Sequence, residues 1–171
     1  MLGDVLLLLL LAGAAVGCLY MLVAATLVPR FEKARPNTGA ARRAVTILKP
    51  LHGDEHQLYE NLASFCEQDY DGPIQIVFGV ASPRDPAIGV VERVRAAYPG
   101  ISVALVVDAR VFGSNPKVSN LVCMSAKIDH DIIVIADSDI RVGRDYLWRV
   151  VEALERSDWG AVTCPYYGIS T

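Results

Sequence analysis

The sequence predicts an α/β fold in which helices cover a parallel sheet, preceded by one transmembrane helix. Two observations support this prediction. Beyond residue 43, short apolar runs alternate with segments of helical periodicity, which is typical of a parallel sheet with helical crossovers. Near the N-terminus, a long stretch lacks any charge. The predicted organisation is a transmembrane anchor at residues 1–30, a basic juxtamembrane linker at 31–43 and an α/β domain at 44–171.

The N-terminal apolar segment carries no charge from Val5 to Val28. As a helix it would be roughly 36 Å long, against about 30 Å for the hydrocarbon core of a bilayer. A cleaved signal peptide has a shorter apolar run and a positively charged start, whereas Asp4 precedes the run here. Basic residues follow the segment and none precedes it, so the positive-inside rule predicts a cytoplasmic α/β domain on a single-pass anchor in the inner cell membrane.

Four strands are expected in the α/β domain, with a fifth candidate near its end. They are predicted at Ala44–Leu48, Ile74–Val80, Ser102–Val107 and Ile132–Ala136, with Ala161–Cys164 as the fifth candidate. The fourth strand is continuously apolar, which is typical of a central strand buried on both faces. Ligands of open α/β sheets bind beyond the carboxyl ends of the strands, so functional residues are expected in the segments that follow them.

A helix is predicted after each of the four strands. The first begins near Asp54, which has capping-box spacing to Gln57. The second has its apolar stripe between Ile88 and Tyr98. The third has Asn115 as its N-cap and Pro116 in its first turn. Its expected buried residues are Val118, Leu121 and Val122, and those of the fourth helix are Leu147, Val150, Val151 and Leu154.

Composition excludes several classes of protein. The formal net charge is −3, whereas nucleic-acid-binding proteins usually carry a strong basic excess, so no nucleic-acid partner is expected. The four cysteines lie far apart, without zinc-ligand spacing. They are therefore expected to be free, buried thiols: Cys18, Cys66, Cys123 and Cys164.

The sharpest chemical signal is the D-x-D sequence that follows the fourth strand. Asp137 and Asp139 repel each other unless a cation lies between them. Mg²⁺ or Mn²⁺ suits this pair, because these ions bind carboxylates and complete their coordination with phosphate oxygens and water. The pair therefore predicts a metal site that holds a nucleotide diphosphate. A solvated pair of acids is the alternative for the motif taken alone.

Two further clusters follow other strands. Asn115, Lys117 and Asn120 lie in the first turns of the third predicted helix, where free N–H groups and the helix dipole favour an anion. They are candidate contacts to diphosphate and ribose, although ordinary capping by Asn115 explains the pattern as well. Lys49, Asp54 and Glu55 follow the first strand, and they are candidates either to contact the nucleotide base or to hold the loop in shape.

Taken together, the motifs resemble one known family. VTILKPLHGDE, NLASFCEQDY, DPAI, NPKVSNL and ADSDIRV occur in that order. The chain from about Val45 to Tyr166 is thus similar to the ceramide glucosyltransferase family and to related bacterial transferases associated with hopanoid lipids. The resemblance implies a GT-A fold, inverting transfer, a UDP-sugar donor and a membrane lipid acceptor, with Asp137 and Asp139 as the motif that binds metal and diphosphate.

The chain departs from this family pattern at two places. The family carries an acidic residue soon after the second strand; this chain has Ser82 there, and Asp85 is the candidate to replace the acid. The family pattern continues to a general base and an (Q/R)-x-x-R-W motif, neither of which occurs before Thr171. We therefore expect the catalytic base beyond Thr171 and poor activity of these residues alone.

Two other functions remain open at this stage. The chain fits a membrane-tethered protein that binds nucleotide without catalysis. Phosphatases of the haloacid dehalogenase type also use D-x-D after an apolar strand. They normally have Thr or Val where Arg141 stands, and they carry the motif on the first strand, so the glycosyltransferase interpretation is favoured.

Overall fold

The computed structural model describes residues 2–32, 43–156 and 160–168. The chain divides into two compact units, Met1–Asn37 and Thr38–Thr171. The first unit contains one long helix, and the second contains a sheet with its covering helices. The predicted basic linker at 31–43 lies mostly outside the described residues. Its last member, Arg43, is exposed, and its Nη1 lies 3.6 Å from Oε1 of Glu155.

The N-terminal unit is the helix α1, Leu2–Glu32. Its segment Gly3–Leu27 has 25 residues and a mean hydropathy of 2.6, which makes it long and apolar enough to cross a membrane. The predicted helix is therefore present. The side chains of this segment are almost all exposed within the unit, as expected for a helix whose apolar surface is not covered by its own chain.

The second unit is built on a four-stranded parallel sheet. The strands are β1 (Val45–Pro50), β2 (Ile74–Val80), β3 (Ser102–Val107) and β4 (Ile132–Ile135). Their order across the sheet is β3-β2-β1-β4, and all three pairings are parallel. The predicted α/β class is confirmed. Because every strand runs in the same direction, all four carboxyl ends lie at one edge of the sheet.

Each strand is followed by a helix. The helices are α2 (Leu58–Cys66), α3 (Ala87–Ala97), α4 (Pro116–Met124) and α5 (Tyr146–Glu155), with a 3₁₀ turn at Ser125–Lys127. The apolar sides of α2, α3 and α5 bury the main core against one face of the sheet, whereas α4 covers part of the other face with Met124 against Leu48 and Val77.

The helix α2 begins at Leu58 and not near Asp54, so the predicted cap at Asp54 is wrong. Gln57 precedes the helix with φ 57°, and this left-handed conformation separates the helix from the residues before it. The preceding loop is tied elsewhere, since the Leu51 amide donates to the Gly79 carbonyl at 2.8 Å. These long-range bonds override the local capping signal.

The prediction that β4 is buried on both faces is also wrong. Within the described residues β4 is the outermost strand, and its side chains alternate between buried and exposed. Ile133 and Ile135 point to the face that carries α4 and are 46% and 55% exposed. The candidate strand at Ala161–Cys164 does not form, and these residues have no regular secondary structure.

The buried side of α4 differs from the predicted one. Val118 and Val122 are exposed, Leu121 is partly buried, and the residues that face the protein are Ser119, Asn120, Cys123 and Met124. The predicted pattern followed hydrophobicity alone, whereas the helix packs its small and polar side chains against β2. All four cysteines are free as expected, but only Cys66 and Cys123 are buried.

Gly79 in β2 permits this close packing. A Cβ atom at position 79 would lie closer to Oδ1 of Asn120 and to the sulfur of Met124 than van der Waals contact allows. A glycine inside a strand often marks such a close approach. The side chains of Asn120 and Met124 thus occupy space that a glycine at position 79 leaves open.

We expect Gly79→Ala to lower the free energy of unfolding by about 1–3 kcal/mol, because the added methyl group forces the buried side chains of Asn120 and Met124 to shift. Gly89→Ala is the matched control. Gly89 lies in α3 with nothing within 4 Å of an added Cβ, so the control is expected to raise stability by up to about 1 kcal/mol. Urea denaturation measures both, and equal effects would contradict the role of Gly79.

Candidate functional site

The two aspartates of the D-x-D sequence lie in a tight turn at the carboxyl end of β4. The Ala136 amide donates to the Leu48 carbonyl at 3.1 Å, which continues the pairing with β1 up to the turn. The Ile140 amide then donates to the Asp137 carbonyl at 3.3 Å. Ser138 is buried, whereas Asp137 and Asp139 are exposed. The turn therefore presents both carboxylates to solvent.

The first turn of α4 brings a lysine to this turn. Asn115 is the N-cap as predicted, since its Oδ1 accepts from the amides of Lys117 and Val118 at 3.0 and 3.2 Å. Lys117 forms an ion pair and hydrogen bond from Nζ to Oδ1 of Asp137. About half of each of the two side chains is exposed, so solvent screens this pair.

A second lysine reaches the same aspartate from inside the protein. The side chain of Lys49 continues the row of Val45 and Ile47 on the main-core face of β1, and Lys49 is completely buried. Its Nζ donates to the Asp137 carbonyl at 2.7 Å and lies 3.9 Å from the centre of the Phe65 ring.

Burial lowers the pKa of Lys49 to about 7. The negative charges of Asp137, Asp139 and Glu55 oppose this shift, because they favour the protonated form. Oε2 of Glu55 is buried without a hydrogen-bond partner among the described residues. A buried amine thus lies beneath the exposed carboxylates of Asp137 and Asp139.

Asp85 is buried at the start of α3 and binds backbone amides. Its carboxylate accepts from Gly53 N at 3.0 and 3.2 Å and from Ala87 N at 3.0 Å. Asp85 therefore fastens the loop that follows β1 to the first turn of α3. Ser82, at the position of the family's acidic residue, accepts from Arg84 N at 3.2 Å and is partly exposed.

Asn120 also holds backbone in this structure. Its Nδ2 donates to the Gly79 carbonyl at 2.8 Å, and its Oδ1 is buried without a partner among the described residues. Of the predicted site residues, Lys49, Lys117 and Asp137 come into contact, with Asp139 in the same turn. Asp85, Asn115 and Asn120 position the surrounding loops and helix, so a nucleotide contact by these three stays a prediction.

Two residues of this arrangement were missed by sequence reasoning. Phe65 supplies the ring beside the Lys49 ammonium group, and no local pattern distinguishes it from the other apolar residues of α2. Gly79 did carry a signal, because an isolated glycine within an apolar strand indicates close approach of another chain segment.

The carboxylate oxygens of the turn suit Mg²⁺ or Mn²⁺ if other oxygen ligands complete the coordination of the ion. The described residues contain no group of three or more histidine, cysteine, aspartate or glutamate side chains that could hold a metal. Two exposed carboxylates alone suit an ion that keeps several waters and takes further oxygens from a phosphate. Asp137 and Asp139 therefore fit a cation that takes its remaining ligands from water and phosphate.

Comparison with known proteins shows which family the chain resembles. The sequence model of Glycosyl transferase family 21 matches residues 9–171. The ceramide glucosyltransferase of Komagataella phaffii is 38% identical over 123 residues, which cover 66% of this chain and 23% of that protein. Ceramide glucosyltransferase 1 of Caenorhabditis elegans is 31% identical over 96 residues, which cover 56% and 20%. The chain thus spans less than a quarter of the length of these two relatives.

A solved structure shares the fold. A mannosyltransferase from Pyrobaculum calidifontis, in complex with GDP-Man and Mn²⁺, superposes with a TM-score of 0.56 at 23% identity. The match covers 78% of this chain and 39% of that chain. The predicted GT-A architecture is confirmed by this likeness, which concerns the fold alone.

We expect Asp85→Ala to lower the free energy of unfolding by about 1–3 kcal/mol, because the amides of Gly53 and Ala87 lose a buried acceptor. Ser82→Ala, which removes a partly exposed hydroxyl, is expected to change stability by less than about 0.5 kcal/mol. Urea denaturation measures both variants. Hydrogen exchange at Gly53 should accelerate in the Asp85 variant alone; unchanged exchange there would refute the fastening role.

Proposed function

Because the chain belongs to glycosyl transferase family 21, we propose that it forms the donor-binding part of a glycosyltransferase. The proposed reaction moves a sugar from a UDP-sugar to a membrane lipid of the ceramide or hopanoid kind. The curated relatives support this proposal, since those compared above are ceramide glucosyltransferases. The observation that carries it is the convergence of Lys117 and the Asp137–Asp139 turn at the carboxyl edge of the sheet.

The proposed roles follow from charge and position. Asp137 and Asp139 would hold Mg²⁺ or Mn²⁺, which when bound supplies positive charge to neutralise the diphosphate leaving group. Lys117 lies where the free N–H groups of the first turn of α4 also favour an anion. Its ammonium group rests on the exposed carboxylate of Asp137, and a phosphate oxygen could replace that carboxylate without any rearrangement of the core.

The proposed membrane location rests on α1. Its apolar segment is long enough to span a bilayer, and the basic residues that follow it predict that the α/β unit faces the cytoplasm. An enzyme tethered in this way would meet a soluble nucleotide sugar on one side and a lipid acceptor in the adjacent leaflet.

We expect Asp139→Asn to weaken binding of UDP in the presence of Mn²⁺ by at least about tenfold, because a neutral amide replaces one of two anionic ligands. Isothermal titration calorimetry measures the affinity, with and without Mn²⁺. Without Mn²⁺, the wild-type protein and the Asp139→Asn variant should bind UDP with equal affinity.

Asp69→Asn is the matched control for this variant. Asp69 is also exposed, but its carboxylate bonds to Arg144 and lies in the loop that precedes β2, at the end of the sheet opposite to the D-x-D turn. Its loss should leave the Mn²⁺-dependent affinity unchanged. If the affinity for UDP depends neither on Mn²⁺ nor on the Asp139→Asn substitution, the proposed metal site is wrong.

Sugar transfer is tested with the full-length protein in inner-membrane vesicles. Inverted vesicles expose the cytoplasmic face, so labelled UDP-glucose or UDP-N-acetylglucosamine added to them should label the lipid fraction, whereas right-side-out vesicles should not. Labelling should fall at least about tenfold in the Asp139→Asn protein. Mn²⁺-dependent UDP binding without any lipid labelling would favour a binding protein, and release of inorganic phosphate from phosphate esters would favour a phosphatase.

A further inference from the structure

Two lysines contact Asp137, and they do so from opposite sides. Lys117 reaches the carboxylate from solvent, where both side chains are about half exposed. Lys49 reaches the backbone carbonyl from the core, where it has no exposed surface. The two contacts therefore act on different parts of the same residue: one on the charge of the side chain, the other on the orientation of the peptide group.

We propose that Lys49 is a positioning residue that fixes the peptide group of Asp137, so that the carboxylates of Asp137 and Asp139 face a cation and diphosphate together. This inference rests on the proposed function, because it concerns the same site. Lys49 does not touch the bound ligand in this proposal. Its ammonium group lies beneath the turn, and the residue has no exposed surface.

Folding alone does not explain a lysine here. Removing an ammonium group from water is costly, and ion pairs buried in a protein can often be replaced by apolar side chains of similar volume without loss of stability. Lys49 continues the apolar row of Val45 and Ile47, so a methionine would occupy the same space. What methionine lacks is the N–H donor for the Asp137 carbonyl and a positive charge beside the carboxylates.

The packing around the ammonium group restricts its position. The Phe65 ring lies on one side at 3.9 Å, and the Asp137 carbonyl accepts its hydrogen bond at 2.7 Å. The ring belongs to α2 and the carbonyl follows β4, so Lys49 on β1 connects three elements at one point. The orientation of the turn is therefore fixed by contacts within the core and not by an exposed side chain.

The two lysines are distinguished by the sign of their effect on Mn²⁺ affinity in the absence of nucleotide. Lys117→Met removes a cation that competes for the Asp137 carboxylate, so Mn²⁺ should bind more tightly, by up to about fivefold. If Lys49 acted only through its charge, Lys49→Met would also tighten Mn²⁺ binding. A positioning role predicts the opposite, a loss of about 10-fold to 100-fold, as is typical for groups that orient metal ligands.

The experiment measures Mn²⁺ binding by water-proton relaxation and Mn²⁺-dependent UDP binding by calorimetry, with stability toward urea followed in parallel. We expect Lys49→Met to remain folded while it loses affinity for both Mn²⁺ and UDP. Lys49→Gln, which keeps an N–H donor on a shorter, uncharged side chain, should lie between the wild type and Lys49→Met. Val91→Ala is the control for damage to the core: it should lose stability and keep both affinities.

Unchanged or tighter Mn²⁺ binding by folded Lys49→Met would overturn the inference and leave the proposed function intact. Failure of both Lys49 variants to fold would also overturn it, because Lys49 would then serve the core and not the turn. If the wild-type protein binds neither Mn²⁺ nor, in the presence of Mn²⁺, UDP, both the proposed function and this inference are wrong.

Discussion

The parallel pairing of β1 with both β2 and β4 is the constraint on which the site depends. It brings the end of β1, which carries Lys49, beside the end of β4, which delivers Asp137. The same arrangement places the loop after β1 against the end of β2, where the Gly79 carbonyl accepts from the Leu51 amide. Groups that are distant in sequence therefore meet at the carboxyl ends of the strands. No long loop is needed to bring them together, because the parallel strands end side by side.

Charge at this edge is divided between the interior and the surface. Lys49 carries its amine in the core, where burial disfavours the charged form and the nearby carboxylates favour it. Lys117 is solvated, and its pairing with Asp137 gains little free energy because water screens it. A weak outer contact suits a group that must exchange partners, whereas a buried contact suits a group that must hold still.

Much of the fold could be predicted from the sequence, because the apolar runs and the turn residues between them agree with one another. The bounds of β2 and β3 and the cap at Asn115 are correct, since each depends on local chemistry. The predictions of where α2 starts and of which side of α4 is buried were wrong for one common reason. Contacts with segments that are distant in sequence determine both features. The Gly79 carbonyl and the Asp85 carboxylate organise the loop before α2, and no local pattern shows which partner a backbone amide will find.

Ile133 and Ile135 give the outermost strand of the described sheet an apolar side that its own unit leaves open. On its outer side, the backbone N–H and C=O groups of β4 pair with no strand among the described residues. Such an edge is a template for pairing with another chain. Handled alone in dilute buffer, the α/β unit would tend to self-associate through this side, so its colloidal behaviour depends on whatever covers β4 and not on the strength of its core.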